Sequence, residues 1–278
     1  MPAIALPMLW ASYPAPDAGV WDAVHLYLTV LIGLNAIYFG LGYLLHWINS
    51  RHPERRIQSR PGQRAIYWEM RNSVVALLSI SAYVAGGLFV QAKGWTLTPV
   101  EPTLVNWLLF GGLSLVLYDT WFYWGHRLMH TEWLYRFHAQ HHKSVVPTPW
   151  ANNSDHPVGA FVEQFNFFVI PFILPIPPEV LIAHKIFDQV TGQAGHAGHE
   201  YFASPTARWP WPLLCTTYHD QHHGLFRYNY ANTFSWWDRW MGTIHPSYDA
   251  AVQRFEGPAL EQATKAAAAD ASSKRGEG

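Results

Sequence analysis

The chain contains 278 residues, of which 50% are hydrophobic and 13% charged, and its formal net charge is −1. The charged share is about half of that in soluble domains, which favours a membrane protein, and a net charge near zero provides no basic surface for nucleic acid. A single cysteine, Cys215, excludes an internal disulfide framework and the zinc-finger and iron–sulfur sites that require several thiolates.

The two ends of the chain differ in composition from the middle. Residues 1–22 are rich in Pro and Ala and are expected to form an N-terminal arm, without the basic region that begins a cleaved signal peptide. Residues 23–249 are expected to form one membrane-embedded domain, because one domain is the default at this length. Residues 250–278 are rich in Ala, Lys, Glu and Gly, which is typical of a disordered tail.

Three apolar segments, residues 24–47, 72–91 and 104–124, are long enough to cross a bilayer of ~30 Å. A buried core helix is the alternative for residues 24–47, but the length and the aromatic ends favour a membrane span. The loop between the first two, residues 49–71, contains six arginines, and the positive-inside rule places it in the cytoplasm. Because the second span leads out and the third returns, the end of the third span lies on the same side as this loop.

Ten of the 16 histidines fall in four short motifs that follow the third span. Residues three or four apart share one face of a helix, so the spacing predicts imidazole rings that converge. Neutral imidazole is a ligand for iron, zinc, copper and nickel, and ten rings suit two ions that share an open site. The predicted ligands are His126 and His130 in HRLMH, His138, His141 and His142 in HAQHH, His196 and His199 in HAGH, and His219, His222 and His223 in HDQHH.

The remaining histidines have simpler interpretations. His156 lies outside the repeated spacings, and we expect it either to line the mouth of a substrate site or to cap the next helix. The others are expected to be packed or surface residues: His25, His46, His52, His184 and His245.

Residues 159–187 are mostly apolar but are interrupted by four prolines. His142 and His196 must meet at one site, so the chain has to leave and re-enter on the same side of the membrane. We therefore predict a helical hairpin that turns near residues 174–178, with two helices on the order of 12–18 residues each.

Three aspartates are candidates for supporting the histidines: Asp119, Asp220 and Asp238. Asp119 lies seven residues before His126, on the same helix face, and an acid within an apolar helix is costly unless it is paired. We expect it to accept the outer ring N–H of a ligand histidine, with an ion pair to Arg127 or another basic residue as the alternative. Asp188 and Glu200 are weaker candidates. All these acids except Asp119 could instead lie in solvated loops, and Asp220, inside HDQHH, is the one of them favoured for function.

These features together predict the fold class. We expect an all-α, polytopic membrane bundle of three spans plus a Pro-broken helical hairpin, and a cytoplasmic, histidine-rich helical cap.

The runs DTWFYWGHRLMH, FHAQHH and HDQHH, with the closing run NYANTFSWWDRWMGT, resemble the fatty acid hydroxylase/sterol desaturase superfamily of integral membrane di-iron oxidases. The matching stretch covers residues 119–243, close to half of the chain. The closing segment carries the resemblance at Asn229, Tyr230, Asp238, Arg239, Gly242 and Thr243.

The resemblance implies a function as well as a fold. It implies two iron ions held by the histidines, with no catalytic residue beyond the metal centre, and dioxygen as oxidant. The substrate would be a lipid such as a fatty acyl chain, a sterol or a carotenoid, and hydroxylation is favoured over desaturation. No GxGxxG motif or haem signature occurs, so electrons are expected from an external NAD(P)H-linked carrier and reductase. The oligomeric state is left open.

Two functions from other classes remain as alternatives. A membrane zinc hydrolase would need a glutamate base beside a smaller ligand set, as in HExxH, and no such motif occurs in the chain. A metal transporter would place its ligands inside the spans, whereas these histidines are predicted at or beyond the span ends.

Overall fold

The computed structural model describes residues 13–62 and 65–257. These residues form helices and no β-strand, in agreement with the predicted all-α class. The predicted N-terminal arm lies outside the described residues as far as residue 12, and the predicted tail lies outside them from residue 258 onward.

Three long helices, α1 (Val20–Arg51), α2 (Ile66–Ala92) and α3 (Leu104–Met129), are apolar and long enough to cross a membrane. The prediction of three helices capable of spanning a membrane is thereby confirmed, although each helix is longer than its apolar segment. At 1.5 Å per residue α1 is about 48 Å long, so its ends extend beyond the ~30 Å of the hydrocarbon layer. The Arg-rich loop is shorter than predicted, because α1 continues to the residue before His52 and α2 already begins at Ile66.

The segment after α3 contains little regular helix. Helix α4 spans only Tyr135–His138, and a 3-10 turn follows over His141–Lys143. The expectation that HAQHH lies on one continuous helix is therefore wrong. Isolated helices this short are not stable on their own, so tertiary contacts decide their conformation.

The predicted hairpin is present and turns at residues 174–177. Its first arm is divided into α5 (Pro157–Gln164) and α6 (Asn166–Ile173), and its second arm is α7 (Pro178–Gly195). At the tip the carbonyl of Pro175 accepts the N–H of Val100 at 3.0 Å, in the loop that joins α2 to α3. The hairpin therefore passes through the bundle to the end opposite the histidines.

Three short helices complete the described chain: α8 (Thr216–Leu225), α9 (Trp236–Met241) and α10 (Tyr248–Gln253). Together with the segment after α3 they cover the histidine end of the bundle. The loop after α1 packs onto this cap, since the N–H of Ile57 bonds the carbonyl of Gly198 at 3.1 Å and the N–H of Glu200 bonds the carbonyl of Arg55 at 2.9 Å. The Arg-rich loop and the histidines thus lie at the same end, as predicted.

Candidate metal centre

The structure brings nine of the ten predicted histidines together in two groups. Within each group, one ring nitrogen of every member lies within 4.8 Å of the others. The five-histidine group consists of His126, His130, His138, His142 and His222, and the four-histidine group of His141, His196, His219 and His223.

The two His-His doublets divide between the groups. Successive residues point about 120° apart in a 3-10 turn and about 100° apart in an α-helix, so neighbours face different directions. His141 and His142 therefore enter different groups, and so do His222 and His223. Each doublet serves both groups and keeps them adjacent, with the ring centroids of His142 and His223 5.1 Å apart.

In the five-histidine group the Nε2 atoms converge. His126 Nε2 lies 3.1 Å from His138 Nε2, and His142 Nε2 lies 3.0 Å from His130 Nε2 and 3.1 Å from His222 Nε2. Neutral rings that direct lone pairs at one another are unfavourable unless a cation or a shared proton lies between them.

The four-histidine group has the same arrangement. His219 Nε2 lies 2.9 Å from His196 Nε2 and 3.1 Å from His223 Nε2, and His196 Nε2 lies 3.3 Å from His141 Nε2. Both donor sets therefore fit metal ions that prefer nitrogen ligands.

Backbone carbonyls orient several rings from outside. The Nδ1 atoms of His126, His196 and His222 donate to the carbonyls of Tyr230, Gly192 and Tyr228 at 2.8, 2.7 and 2.6 Å. A proton held on Nδ1 leaves the lone pair of Nε2 directed into the group.

The electrostatics of the cap keep these rings neutral. Burial lowers the pKa of His138 to about 3. Burial first, and then the neighbouring histidines, hold the pKa of His219 and His223 well below its usual value. The neutral form is the one that binds a metal ion, so the ligands are available at neutral pH.

His199 is the exception, since it lies outside both groups, contrary to the expectation that it shares a face with His196. Helix α7 ends at Gly195, and Gly198 has a φ of +68°, so HAGH is a turn and the rule for residues three apart does not apply. The backbone of His199 instead pairs with Arg56 of the Arg-rich loop, and its Nδ1 lies 3.2 Å from the carbonyl of Ala197.

Among the described residues Asp119 does not contact a histidine ring or pair with Arg127 or another basic side chain, so both expectations for it are wrong. Its Oδ1 accepts the backbone N–H groups of Asn232, Thr233 and Phe234 at 3.2, 2.7 and 3.2 Å. These bonds satisfy the buried oxygen and hold the loop that follows Tyr230.

Asp238 acts on the same loop. Its carboxylate accepts the N–H groups of Tyr230 and Ala231, both at 2.9 Å, and the hydroxyl of Tyr218. The carbonyl of Tyr230 accepts from His126, so Asp238 supports that ligand through the backbone rather than through its ring.

Asp220 connects the cap to the Arg-rich loop. Its two carboxylate oxygens accept from the guanidinium of Arg60 at 2.6 and 2.9 Å. Glu200 caps α8 by accepting the N–H of Thr217 at 2.7 Å, and His156 caps α5 by accepting the N–H of Val158 at 3.1 Å. The capping interpretation of His156 is thus confirmed.

Two acids that the sequence analysis missed face His138. Its Nδ1 lies 3.5 Å from Asp155 Oδ2 and 3.8 Å from Glu163 Oε1. Glu163 carried a usable signal, because it is an acid within an apolar hairpin, the same reason that drew attention to Asp119. Asp155 had no comparable signal in its Asn- and Pro-rich loop.

A cavity of about 530 Å³ adjoins the two groups. His126, His141, His196 and His219 line its inner end, and Tyr118 and Asp188 line it further along α3 and α7. Eight residues separate Tyr118 from His126, as they do Asp188 from His196, which corresponds to about 12 Å along each helix. A cavity of this size fits a substantial part of a lipid.

The cavity reaches the outer surface beside α7. Phe187, Val190, Phe202 and Leu213 line it and are also exposed. Since Phe187 and Val190 lie on the hairpin and Phe202 and Leu213 on the cap, the opening lies where the bundle meets the cap.

Comparisons with known proteins agree with these observations. The fatty acid hydroxylase family model matches residues 112–243. Lathosterol oxidase of Homo sapiens is 26% identical over 250 residues, which cover 84% of this chain and 79% of that protein.

Two fungal sterol desaturases are also similar. A Delta(7)-sterol 5(6)-desaturase of Leptosphaeria maculans is 26% identical over 256 residues, which cover 88% of this chain and 68% of that protein. A Delta(7)-sterol 5(6)-desaturase of Gibberella zeae is 30% identical over 235 residues, which cover 82% of this chain and 64% of that protein. No solved structure matches the chain.

Proposed function

This chain belongs to the fatty acid hydroxylase/sterol desaturase superfamily, and we propose that it is a membrane di-iron oxygenase that oxidises a C–H bond of a lipid. It is an oxidoreductase that acts on lipids. The observation that carries the proposal is the convergence of nine histidines, seven buried and two half-buried, in two adjacent groups, four of whose members line a lipid-sized cavity.

Each histidine group would hold one iron ion. Bound iron supplies the reduction of dioxygen and the oxidising power that an unactivated C–H bond requires. The chain supplies the rest: carbonyls of Tyr230, Gly192 and Tyr228 orient the rings. Apolar side chains that line the cavity, such as Ile80 and Phe122, would exclude water.

We propose a sterol or a comparable isoprenoid lipid as the substrate, since the similar proteins are sterol oxidases and desaturases by name. The same names favour desaturation over hydroxylation, the reverse of the preference from the sequence alone. The lipid would enter beside Phe187 and Val190 and place its reacting carbon near the inner histidines.

Two further properties follow the sequence expectations and form part of the proposal. The histidine cap would face the cytoplasm, because the Arg-rich loop packs on it and loops rich in arginine remain on the cytoplasmic side of a membrane. Electrons would come from an external NAD(P)H-linked carrier, since the chain has no Gly-rich nucleotide-binding motif.

The experiment is oxygen uptake by the purified, iron-loaded protein with a lipid extract, a reductase system and mass analysis of the lipids. The expected result is consumption of dioxygen coupled to one lipid that loses two hydrogens or gains one oxygen. The matched variants are His222→Ala, which removes a member of the five-histidine group, and His25→Ala, which changes an exposed histidine of α1. Equal turnover by both variants, or no lipid oxidised by the wild type under any iron loading, would contradict the proposal.

A further inference from the structure

We propose that Asp155 and Glu163 are positioning residues that hold His138 through its Nδ1–H and make the five-histidine site the more electron-rich of the two metal sites. We refer to these two acids as the carboxylate pair. The inference rests on the di-iron centre of the proposed function and concerns how its two halves differ.

Three buried polar atoms face one another at this point. His138 Nδ1, Asp155 Oδ2 and Glu163 Oε1 lie within 4.8 Å of each other, and none has a hydrogen-bond partner among the described residues. His138 and Asp155 are 1% and 5% exposed, so water does not freely satisfy them. Buried polar groups require partners, and a ring N–H facing two carboxylate oxygens provides them.

The backbone around Asp155 is adapted to aim its carboxylate at His138. Oδ1 accepts the N–H of His156 at 2.7 Å, which leaves Oδ2 directed inward. A Cβ at Gly159 would lie 2.0 Å from Oδ2, so only glycine leaves room for the carboxylate against the first turn of α5. Glu163 follows Gly159 by four residues and therefore lies on the same face of that helix.

The present separations of 3.5 and 3.8 Å are slightly longer than a hydrogen bond. A movement of about 0.5 Å brings Asp155 Oδ2 to normal N–H···O distance, and a bridging water is the alternative for Glu163. Both arrangements hold the proton on Nδ1 and leave Nε2 for the metal ion.

The carboxylate pair distinguishes the two histidine groups. His126, His196 and His222 donate to neutral backbone carbonyls, whereas the Nδ1–H of His138 faces the carboxylate of Asp155 at 3.5 Å. A charge-assisted bond transfers more electron density to the ring and makes Nε2 a stronger donor. His138 belongs only to the five-histidine group, so the iron there is expected to have the lower reduction potential of the two.

The test uses the full chain in detergent, loaded with ⁵⁷Fe, and compares Asp155→Asn, Glu163→Gln and the double variant with the wild type. The matched control is Asp188→Asn, which changes a buried carboxylate on the same cavity that contacts Lys185 and Tyr118 rather than a histidine. Mössbauer spectra and iron content are the readouts, so no substrate is needed.

We expect two inequivalent irons in the wild type and a change in only one of them in the double variant. Binding of that iron is expected to be about 10–100-fold weaker, as for other changes to groups that orient metal ligands. Selective loss of one iron from a folded variant would support the inference equally. The control is expected to leave both iron signals unchanged.

The inference is overturned if the double variant keeps two irons with unchanged spectra, or if both irons change alike. If the double variant does not fold, the same two outcomes are read from the spectra and iron content of Asp155→Asn and Glu163→Gln. A folded wild-type protein that binds no iron at all would instead overturn the proposed function, and this inference with it.

Discussion

The membrane bundle and the histidine cap are stabilised by different interactions. The bundle consists of long helices whose apolar residues pack around Tyr38, Leu77 and Phe167. The cap consists of helices of four to ten residues that are connected by buried carboxylates accepting backbone N–H groups. The difference indicates that the bundle supplies the long helices and most of the lipid cavity, while the cap fixes the positions of the metal ligands.

The largest expected effect comes from a histidine of the cap, His142, which belongs to the five-histidine group. His142→Ala removes a ring whose Nε2 lies close to those of His130 and His222, and we expect at least ~100-fold weaker binding of one metal ion. Metal analysis of the purified protein measures it. The matched control is His199→Ala, which is expected to keep the full metal content because His199 lies outside both groups; equal losses in the two variants would contradict the assignment.

Asp238→Ala is expected to have the next largest effect. It leaves the N–H of Tyr230 without its acceptor and the N–H of Ala231 with only the hydroxyl of Tyr218, which costs about 3 kcal/mol of unfolding free energy. The carbonyl that orients His126 shifts with the loop, so weaker metal binding is expected as well. Denaturant titration in detergent measures the first effect, and Asp238→Asn, which retains one carbonyl oxygen, should lose less. Equal losses in Asp238→Asn and Asp238→Ala would show that the acceptor role is not the cause.

In the bundle, two glycines form a matched pair: Gly87 of α2 packs against the hairpin, and Gly33 of α1 has open space beside it. A Cβ at Gly87 would lie 2.5 Å from the backbone oxygen of Phe167, whereas a Cβ at Gly33 meets nothing within 4 Å. Gly87→Ala is therefore expected to destabilise the protein by about 1–3 kcal/mol. Gly33→Ala should be neutral or slightly stabilising, because alanine favours a helix. Thermal unfolding in one detergent compares them, and equal midpoints would contradict the packing described for α2.

The smallest expected effect lies where the cap meets the Arg-rich loop. Arg60→Gln removes a bidentate ion pair with Asp220 and a hydrogen bond to the carbonyl of Val145. This loss is expected to lower the free energy of unfolding by about 1 kcal/mol. Limited proteolysis should cut the loop faster in this variant. The exposed Arg56 on the same loop serves as the control, since Arg56→Gln is expected to cause no comparable change.

The elements that could be predicted from the sequence are those that local composition determines. The three spans follow from uninterrupted apolar runs, and the hairpin follows from Pro175, Pro177 and Pro178 together with the need to bring His196 back to His142. Membrane thickness limits such segments to few arrangements, so length and composition are sufficient.

The cap could be predicted only in part, because its short segments take their conformation from tertiary contacts. Histidine spacing correctly identified nine residues that converge, but it placed HAGH on a helix that ends before Gly198. It also could not indicate that neighbours such as His141 and His142 divide between two groups. Whether these histidines bind metal remains a prediction.

The supporting acids were the least predictable feature. Asp119 and Asp238 were selected as partners of histidine rings, yet both accept backbone N–H groups from the loop at residues 230–234. Asp155, which does face His138, depends on space provided by Gly159, and no sequence pattern indicates that contact.

The central claim is that the two histidine groups hold two iron ions, and iron content per chain tests it most directly. The protein would be extracted in mild detergent under low oxygen, loaded with ferrous iron, and measured for metal and for magnetic coupling between the ions. Two coupled irons per folded chain are the result that we predict. A folded chain that binds no metal, or one that retains zinc and takes up neither iron nor oxygen when iron is supplied in excess, would contradict it.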